Sequence, residues 1–466
     1  MLWNIVFVWA WWAGISNLVG ILYDLGFRNL IGVDASESQQ VQQHTSRGIK
    51  VFPHWIYNIQ PDDVVIYSSA TSESEEVQAA FSIKTEGKKP MLVWDYFAFL
   101  GEMSKYFRTV GFTWTNGKSS SSAMAISVAR KVVPHFGIGI VGALVPDFGG
   151  KSYVVGGDVS PDLSAARDEI QRIFQFIFTG KKLDYSLIKK YRFFVEACEY
   201  QRHFLNLQLE YALITNLELD HADYFKDFAD YEAAFIEMTE HVKEKVFVLP
   251  DLASETIKSK SNVKVISAFS AFDFRYLLGD FQQENGKLVE AVLGAVLDAT
   301  LQDWGDVKAS VHPLIEQFHG VRRRMEELTT LPNGTKIYSD YGHVASSLAL
   351  WYAALKAKFP DRKLICIFQP HQVHRIQQGW DDFPGAMQGY DEVYVYDIYA
   401  ARESYSPEEI LQLGKRFAQH VGGQYLTAFS EVETVIKTAD ADSVIVLFTA
   451  GDGDWKLRSS LGLTDH

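Results

Sequence analysis

Apolar residues in this chain fall into two alternating patterns. Short β-branched runs are bounded by polar or turn residues, as at Ile5–Val8, Leu30–Asp34 and Val64–Ser68. Between them lie longer stretches with the three- and four-residue apolar spacing of amphipathic helices. The alternation predicts an α/β protein with mostly parallel sheets, since strands covered by helices on both faces read as near-continuous apolar runs. Further strands are expected at Thr109–Thr113, Phe193–Val195, Ala212–Thr215 and Val246–Leu249, and then at Lys336–Asp340, Leu364–Phe368, Val393–Tyr396 and Val444–Phe448. Breaks near Met103–Lys105 and Gln317–Phe318 divide the chain into three expected domains, 1–105, 106–318 and 319–466. No internal repeat is visible.

The 466 residues suffice for several cores, and 47% hydrophobic with 22% charged residues is an ordinary globular balance. A net charge of −14 argues against nucleic acid as a main partner. An anionic substrate remains compatible, because local Lys, Arg, Mg²⁺ and helix N-termini bind anions. Two cysteines, Cys198 and Cys366, make a disulfide framework unexpected and a reducing, cytoplasmic setting the default. Residues 1–22 are apolar, but Asn4, Ser16 and Asn17 interrupt them, and no basic segment or small-residue cleavage site is present. They read as strand, turn and helix, with a membrane anchor as the alternative and no membrane partner expected.

The sharpest local chemistry is "TWTNGKSSSS", Thr113 to Ser122, between an expected strand and an expected helix. Gly117 lets backbone approach phosphate oxygens, Lys118 offers a cation to the β- and γ-phosphates, and Ser119 offers a hydroxyl to Mg²⁺. A capped Gly-Lys turn is the plainer alternative, and the longer phosphate-loop form fails because its first glycine position is Phe112. A second signal is Glu196 at a strand end, followed by Asn216, Glu218, Asp220, His221 and Asp223 after the next strand. Carboxylates and histidine at strand C-termini face the crevice where α/β sheets bind ligands. The alternative is a solvated acidic loop. The third block holds Arg322–Arg324, Asp340 with His343, and His371, His374 and Arg375, each at or after a strand end. A zinc site is not expected, because the cysteines have no paired spacing.

Taken in order, these segments resemble the Mur ligase family. The resemblance runs from Ile5 to about Lys456 and is carried by "GVDASES", "WTNGKSSSSAM", "EACEY", "TNLELDHADYF", "FHGVRRRME", "SDYGH", "FQPHQVHR", "DIYAARE" and "TAGDGDWKL". It implies a three-domain Mur ligase-like architecture, with a Rossmann-like N-terminal domain, a central P-loop ATPase-type domain and a Rossmann-like C-terminal domain. The implied activity is ATP-dependent joining of L-alanine to the carboxylate of UDP-N-acetylmuramate through an acyl phosphate, in peptidoglycan precursor synthesis. ATP and Mg²⁺ would be the cofactors, and the chain a monomer or weak homodimer. By resemblance, Lys118, Glu196, His221, Arg324 (or Arg323) and Asp340 carry catalysis, and Ser119, Glu196 and His221 hold metal. Thr115, Asn116, Gly117, Ser119, Ser120 and Asn285 line the nucleotide. Gly14, Asp34 and Ser69 belong to the uridine side, and His343, His371 and Arg375 to the substrate side. Two alternatives remain. One is the relative that attaches a recycled tripeptide to the same sugar nucleotide, and the other is a catalytically dead nucleotide-binding protein.

The chain departs from the family pattern at Gln282, Val344, Ala345, Gln372 and Cys198, where the family has Asn, His, Pro, Arg and Asp. The tryptophans depart further. Trp9, Trp11, Trp12 and Trp114 each occupy a family glycine position that needs φ > 0 or close backbone approach. Three readings compete: loss of ligand binding, indoles turned away from the ligands, or UGA codons read as Trp where a reassigned code specifies Gly. The restriction of the changes to glycine positions, with Lys118, Glu196 and His221 retained, favours the third.

Overall fold

The structure is a computed structural model that describes the chain apart from residues 1–2, 9–12, 35–38, 87–91, 114–116, 161, 181–182, 220, 222–223, 252–253, 268–270, 299–303, 402 and 464–466. Trp9, Trp11, Trp12, Trp114, Thr115, Asn116, Asp220 and Asp223 therefore lie outside the described residues. The described chain is α/β with three sheets and forms two compact units. One comprises residues 1–272 and 284–316, the other 273–283 and 317–466.

The first unit contains two sheets. The first sheet is built from β1 (Ile5–Val8), β2 (Leu30–Val33), β3 (Lys50–Phe52), β4 (Val64–Tyr67) and β5 (Leu92–Asp95). Its order is β3-β2-β1-β4-β5 and all pairs are parallel. All four residues of β1 are buried, as its unbroken apolar run demands. The order reverses at β1, which puts the C-terminal end of that strand at the topological switch point. After β3, Trp55 holds φ +67 with 68% of its surface exposed, an outlying conformation for so bulky a residue.

The second sheet comprises β6 (Arg108–Thr113), β7 (Phe136–Val145), β8 (Lys151–Val155), β9 (Arg192–Glu196), β10 (Leu209–Ile214), β11 (Lys245–Val248) and β12 (Val263–Val265). The order is β12-β11-β10-β6-β9-β7-β8, parallel except for the β7–β8 hairpin. β6 is central. Glu196 ends β9 beside Phe112, and Ile214 ends β10 beside Thr113. Three strand ends thus converge on one crevice.

These two sheets share one apolar core, running from Ile5 and Leu22 through Phe99, Phe174 and Phe178 to Val248. Phe99 and Phe178 stack at 5.6 Å. The helix Ala13–Asp24 packs onto β7 and β8. Asn17 Nδ2 donates to the Val141 carbonyl at 3.1 Å, and Lys151 Nζ reaches Asp24 at 2.8 Å. Gly20 makes this approach possible, since a Cβ there would lie 2.5 Å from the Tyr153 ring.

The second unit holds β13 (Glu326–Thr330), β14 (Lys336–Asp340), β15 (Leu364–Gln369), β16 (Glu392–Tyr396), β17 (Gln424–Leu426) and β18 (Val444–Thr449). The order is β13-β14-β18-β15-β16-β17, with only β13–β14 antiparallel. β15 and β18 are buried throughout, and apolar clusters cover both faces of the sheet. Among the described residues no helix is long and apolar enough to cross a membrane. The segment weighed as a membrane anchor contains β1 and the start of the helix Ala13–Asp24.

Candidate active site

Gly117 adopts φ +97 and caps the helix Lys118–Val132 without a side-chain hydrogen bond. A left-handed residue that only Gly takes at no steric cost, followed directly by a helix start, presents N–H donors and positive dipole toward the strand ends. Ser119, Ser120, Ser121 and Ser122 are all buried. The serine run is therefore the packed first turn of this helix. Ser122 Oγ donates back to the Lys118 carbonyl at 2.7 Å.

Lys118 Nζ donates to Glu199 Oε1 at 2.6 Å. Burial opposes the charged lysine, but the Glu199 carboxylate outweighs it and holds the ammonium above its ordinary pKa. Burial likewise opposes charge on Glu199, and the neighbouring Lys118 and His221 hold that carboxyl below the usual range. His221 Nε2 stands 3.5 Å from the same Glu199 oxygen, and its ring lies 4.7 Å from that of Tyr200. Ser119 Oγ donates to Glu196 Oε1 at 3.3 Å, while Glu196 Oε2 accepts from Gly142 N at 2.7 Å. Beside them, burial pushes the Cys198 thiol up to about 12, so it is a neutral packing group.

The backbone here is strained. Gln201, Arg202 and His221 all have φ between +51 and +58. Each such residue costs about 1–3 kcal/mol and persists only where its surroundings enforce it, which is typical of ligand sites. Four buried oxygens of this region also lack hydrogen-bond partners among the described residues: Thr113 Oγ1, Thr215 Oγ1, Ser121 Oγ and Glu199 Oε2. The first two sit at the ends of β6 and β10. Unsatisfied oxygens beside a helix start and a half-buried lysine suit a ligand that brings its own donors or cations. The hydroxyl of Ser119 and the carboxylate of Glu196 are hard oxygens that fit Mg²⁺. That ion keeps most of its shell as water and phosphate, so it does not need a preformed cage. No cluster of three or more His, Cys, Asp or Glu side chains that could hold a metal ion by itself is present among the described residues.

The uridine-side candidates lie at the first sheet's strand ends. Gly14 is in the first turn of the helix Ala13–Asp24, and Asp34 follows β2, buried. Ser69 opens a short 3₁₀ turn after β4 and donates to Asp95 at 2.5 Å. Asn285 is buried on the helix Phe281–Val296.

In the second unit the arginine run divides. Arg323 Nη2 donates to the Thr449 carbonyl at 2.6 Å and the Gly451 carbonyl at 3.2 Å. Both Arg323 and Arg324 also lie 4.9 Å from the Tyr341 ring centre. Asp340 ends β14 and accepts from Met325 N at 2.9 Å and Gly342 N at 2.6 Å. Burial raises its pKa against the pull of Arg324 and these donors. The His343 ring is 6.1 Å from that of His371, which stacks on Tyr399 at 5.7 Å. Burial and Arg375 push His371 down to about 4, so it is neutral near pH 7. Arg375 Nε donates to Gln372 Oε1 at 3.1 Å. The sequence reading did not single out Glu199, Gly142 or Tyr399. Glu199 lay inside the quoted segment "EACEY", which was the available signal.

Comparisons with known proteins follow the same arrangement. A model of the Mur ligase middle domain matches residues 178–289, and a model of the Mur ligase glutamate ligase domain matches residues 323–452. The UDP-N-acetylmuramate–L-alanine ligase of Desulfitobacterium hafniense (strain Y51) is 26% identical over 488 residues, covering 98% of this chain and 99% of that protein. The crystal structure of UDP-N-acetylmuramate–alanine ligase from Thermotoga maritima superposes with a TM-score of 0.73 at 19% identity, over 98% of both chains. A murein peptide ligase from Psychrobacter arcticus 273-4 gives 0.63 at 16% identity, over 99% of both. The structural likenesses are likenesses of fold.

Proposed function

Because this chain belongs to the Mur ligase family, we propose that it joins L-alanine to the carboxylate of UDP-N-acetylmuramate at the expense of ATP, in peptidoglycan precursor synthesis. The observation that carries the reading is the grouping of Lys118, Ser119 and Glu196 around the left-handed Gly117 at the head of the helix Lys118–Val132. ATP supplies the phosphoryl group that activates the carboxylate, and Mg²⁺, when bound, neutralises its charge. Lys118 binds the γ-phosphate, and the N–H groups of the helix start hold the neighbouring phosphate oxygens. Ser119, Glu196 and His221 would hold the ion. Transfer between anions needs neutralisation and alignment more than covalent help, and these residues offer both.

The substrate carboxylate oxygen bonds to phosphorus as the bond to ADP breaks. The amine of L-alanine then attacks the acyl carbon, loses its proton, and phosphate leaves with the carboxylate oxygen. Asp34 and Ser69 belong to the uridine side, Asn285 to the nucleotide side. Arg324, rather than the carbonyl-bound Arg323, is the proposed phosphate-contacting arginine of the second unit. Asp340, His343, His371 and Arg375 belong to the substrate side, with His371 supplying a neutral imidazole.

The test is phosphate release from ATP and Mg²⁺ with each substrate omitted in turn, with the amide product identified by mass. Release that requires both UDP-N-acetylmuramate and L-alanine supports the reading. Release with a tripeptide but not L-alanine assigns the chain to the recycling activity. No nucleotide binding at all sinks both.

A further inference from the structure

Glu199 is completely buried, yet it carries two of the site's functional groups on one oxygen. Oε1 accepts from Lys118 Nζ at 2.6 Å and stands 3.5 Å from His221 Nε2. Oε2 is sealed from solvent with no hydrogen-bond partner among the described residues. A buried carboxylate is strongly disfavoured unless paired, so its retention here calls for a purpose.

Its placement is enforced from below. The Glu199 carbonyl accepts from Arg202 N, and the Cys198 carbonyl from Phe204 N, both at 2.8 Å. Between these bonds Gln201 and Arg202 turn through left-handed φ. The Arg202 guanidinium is tied to Asp230 at 2.7 Å and to Glu237 at 3.2 Å. Glu199 thus stands on a fixed platform, whereas Lys118 comes from the helix start after β6 and His221 from the segment after β10.

We propose that Glu199 is a positioning residue whose single oxygen sets the separation between Lys118 and His221, so that both meet the transferring phosphate in register. This rests on the functional reading above. A carboxylate that merely stabilised the fold would make a different prediction. Its loss would weaken nucleotide binding and turnover together, along with the folded fraction. A positioning role separates them. Removing its negative charge leaves the phosphate site no less attractive to an anion, while the alignment needed for transfer is lost.

The experiment compares wild type with Glu199→Gln and Glu199→Asp. Binding of Mg²⁺ with β,γ-methylene ATP is measured by titration calorimetry, and phosphate release gives kcat. For both variants Kd is expected to stay within about threefold of wild type. kcat is expected to fall about 100-fold, the cost of misplacing a reacting group by roughly 1 Å. If Glu199→Gln does not fold, Glu199→Asp, which keeps the charge and shortens the reach, decides alone. A kcat within about threefold of wild type in a folded variant overturns the proposal, and so does a Kd that weakens in step with kcat. Wild-type protein that binds no nucleotide overturns the functional reading and this inference with it; wild type that binds and turns over isolates the question to Glu199.

Discussion

Tyr153, on β8, donates its hydroxyl to Asp24 at 3.0 Å, at the last turn of the helix Ala13–Asp24. The bond joins residues 129 positions apart and ties the first sheet's helix to the second sheet's edge. The same carboxylate oxygen also takes Lys151. Asp24→Asn is expected to lower stability by about 1–3 kcal/mol, because partners are lost from a half-buried network. Thermal unfolding of the full chain measures it. An unchanged midpoint would show that this seam is not held by Asp24.

Gly20 faces the same tyrosine from one turn earlier. Gly20→Ala places a methyl 2.5 Å from the Tyr153 ring, so the ring or the helix must shift. Overpacking of this kind costs about 1–3 kcal/mol, outweighing the usual helix preference for Ala over Gly. Chemical denaturation of Gly20→Ala should show a lower midpoint; a higher one would mean that helix propensity wins.

The tryptophan pattern extends to a position that the structure describes. Trp55 has the left-handed φ and exposure of a glycine site. Replacing it with Gly is expected to stabilise the chain by about 1–2 kcal/mol, since L-residues pay that amount in this region. The codons at 9, 11, 12, 55 and 114 should be UGA, and peptides from the native source should carry glycine mass at those sites. UGG codons there would sink the decoding explanation.

His44 gives the first unit an acid-sensitive point. Its ring is buried, with Nε2 2.9 Å from Ser16 Oγ, and burial followed by Arg47 lowers its pKa from 6.5 to about 4. The unfolded chain takes up a proton near pH 6.5, whereas the folded chain resists until about pH 4. Stability is therefore full above pH 6.5 and falls as the pH drops toward 4, by roughly 3 kcal/mol for this group. His44→Gln should flatten that part of the stability profile in equilibrium unfolding between pH 7 and 4. A profile with the same slope in the variant would assign the loss elsewhere.

The two arginines of the second unit should separate by phenotype. Arg323→Ala leaves the Thr449 and Gly451 carbonyls short of a donor and should lower the stability of the chain by about 1–3 kcal/mol. Arg324→Ala should keep stability and raise the KM for ATP. Paired melting curves and kinetics distinguish them, and the opposite pairing would reverse their roles.

Strands buried on both faces were legible in the sequence. β1, β15 and β18 read directly from their apolar runs because helices cover both sides of each sheet. β7 was not, because Gly137, Gly139 and Gly142 interrupt its pattern. Tertiary packing explains all three: a Cβ at Gly137 would lie 2.9 Å from the Arg192 carbonyl oxygen. A Cβ at Gly139 would meet Ile126 at 2.6 Å, and one at Gly142 would meet Glu196 at 3.0 Å. β13, with the sequence Glu-Glu-Leu-Thr-Thr, carries little apolar signal and exists through pairing with β14. The Gly117–Ser119 turn was legible because its chemistry is local. Glu199 was not, since its meaning lies in partners 81 residues before it and 22 after it. Nor could sequence tell Arg323 from Arg324, whose difference lies in the left-handed φ of Arg323 and its bonds to the Thr449 and Gly451 carbonyls.

The core shared by the first two sheets sets where this molecule can be recombined. A chimera that swaps residues 1–105 alone for those of another sugar-nucleotide ligase would graft a foreign helix onto Tyr153, Lys151 and Val141, and would cut through the apolar cluster linking Phe99 to Phe178. Substrate-side modules here are not interchangeable cassettes. A productive exchange has to carry β7, β8 and the helix Leu163–Thr179 with the first sheet, so that change in the first sheet is constrained by the second.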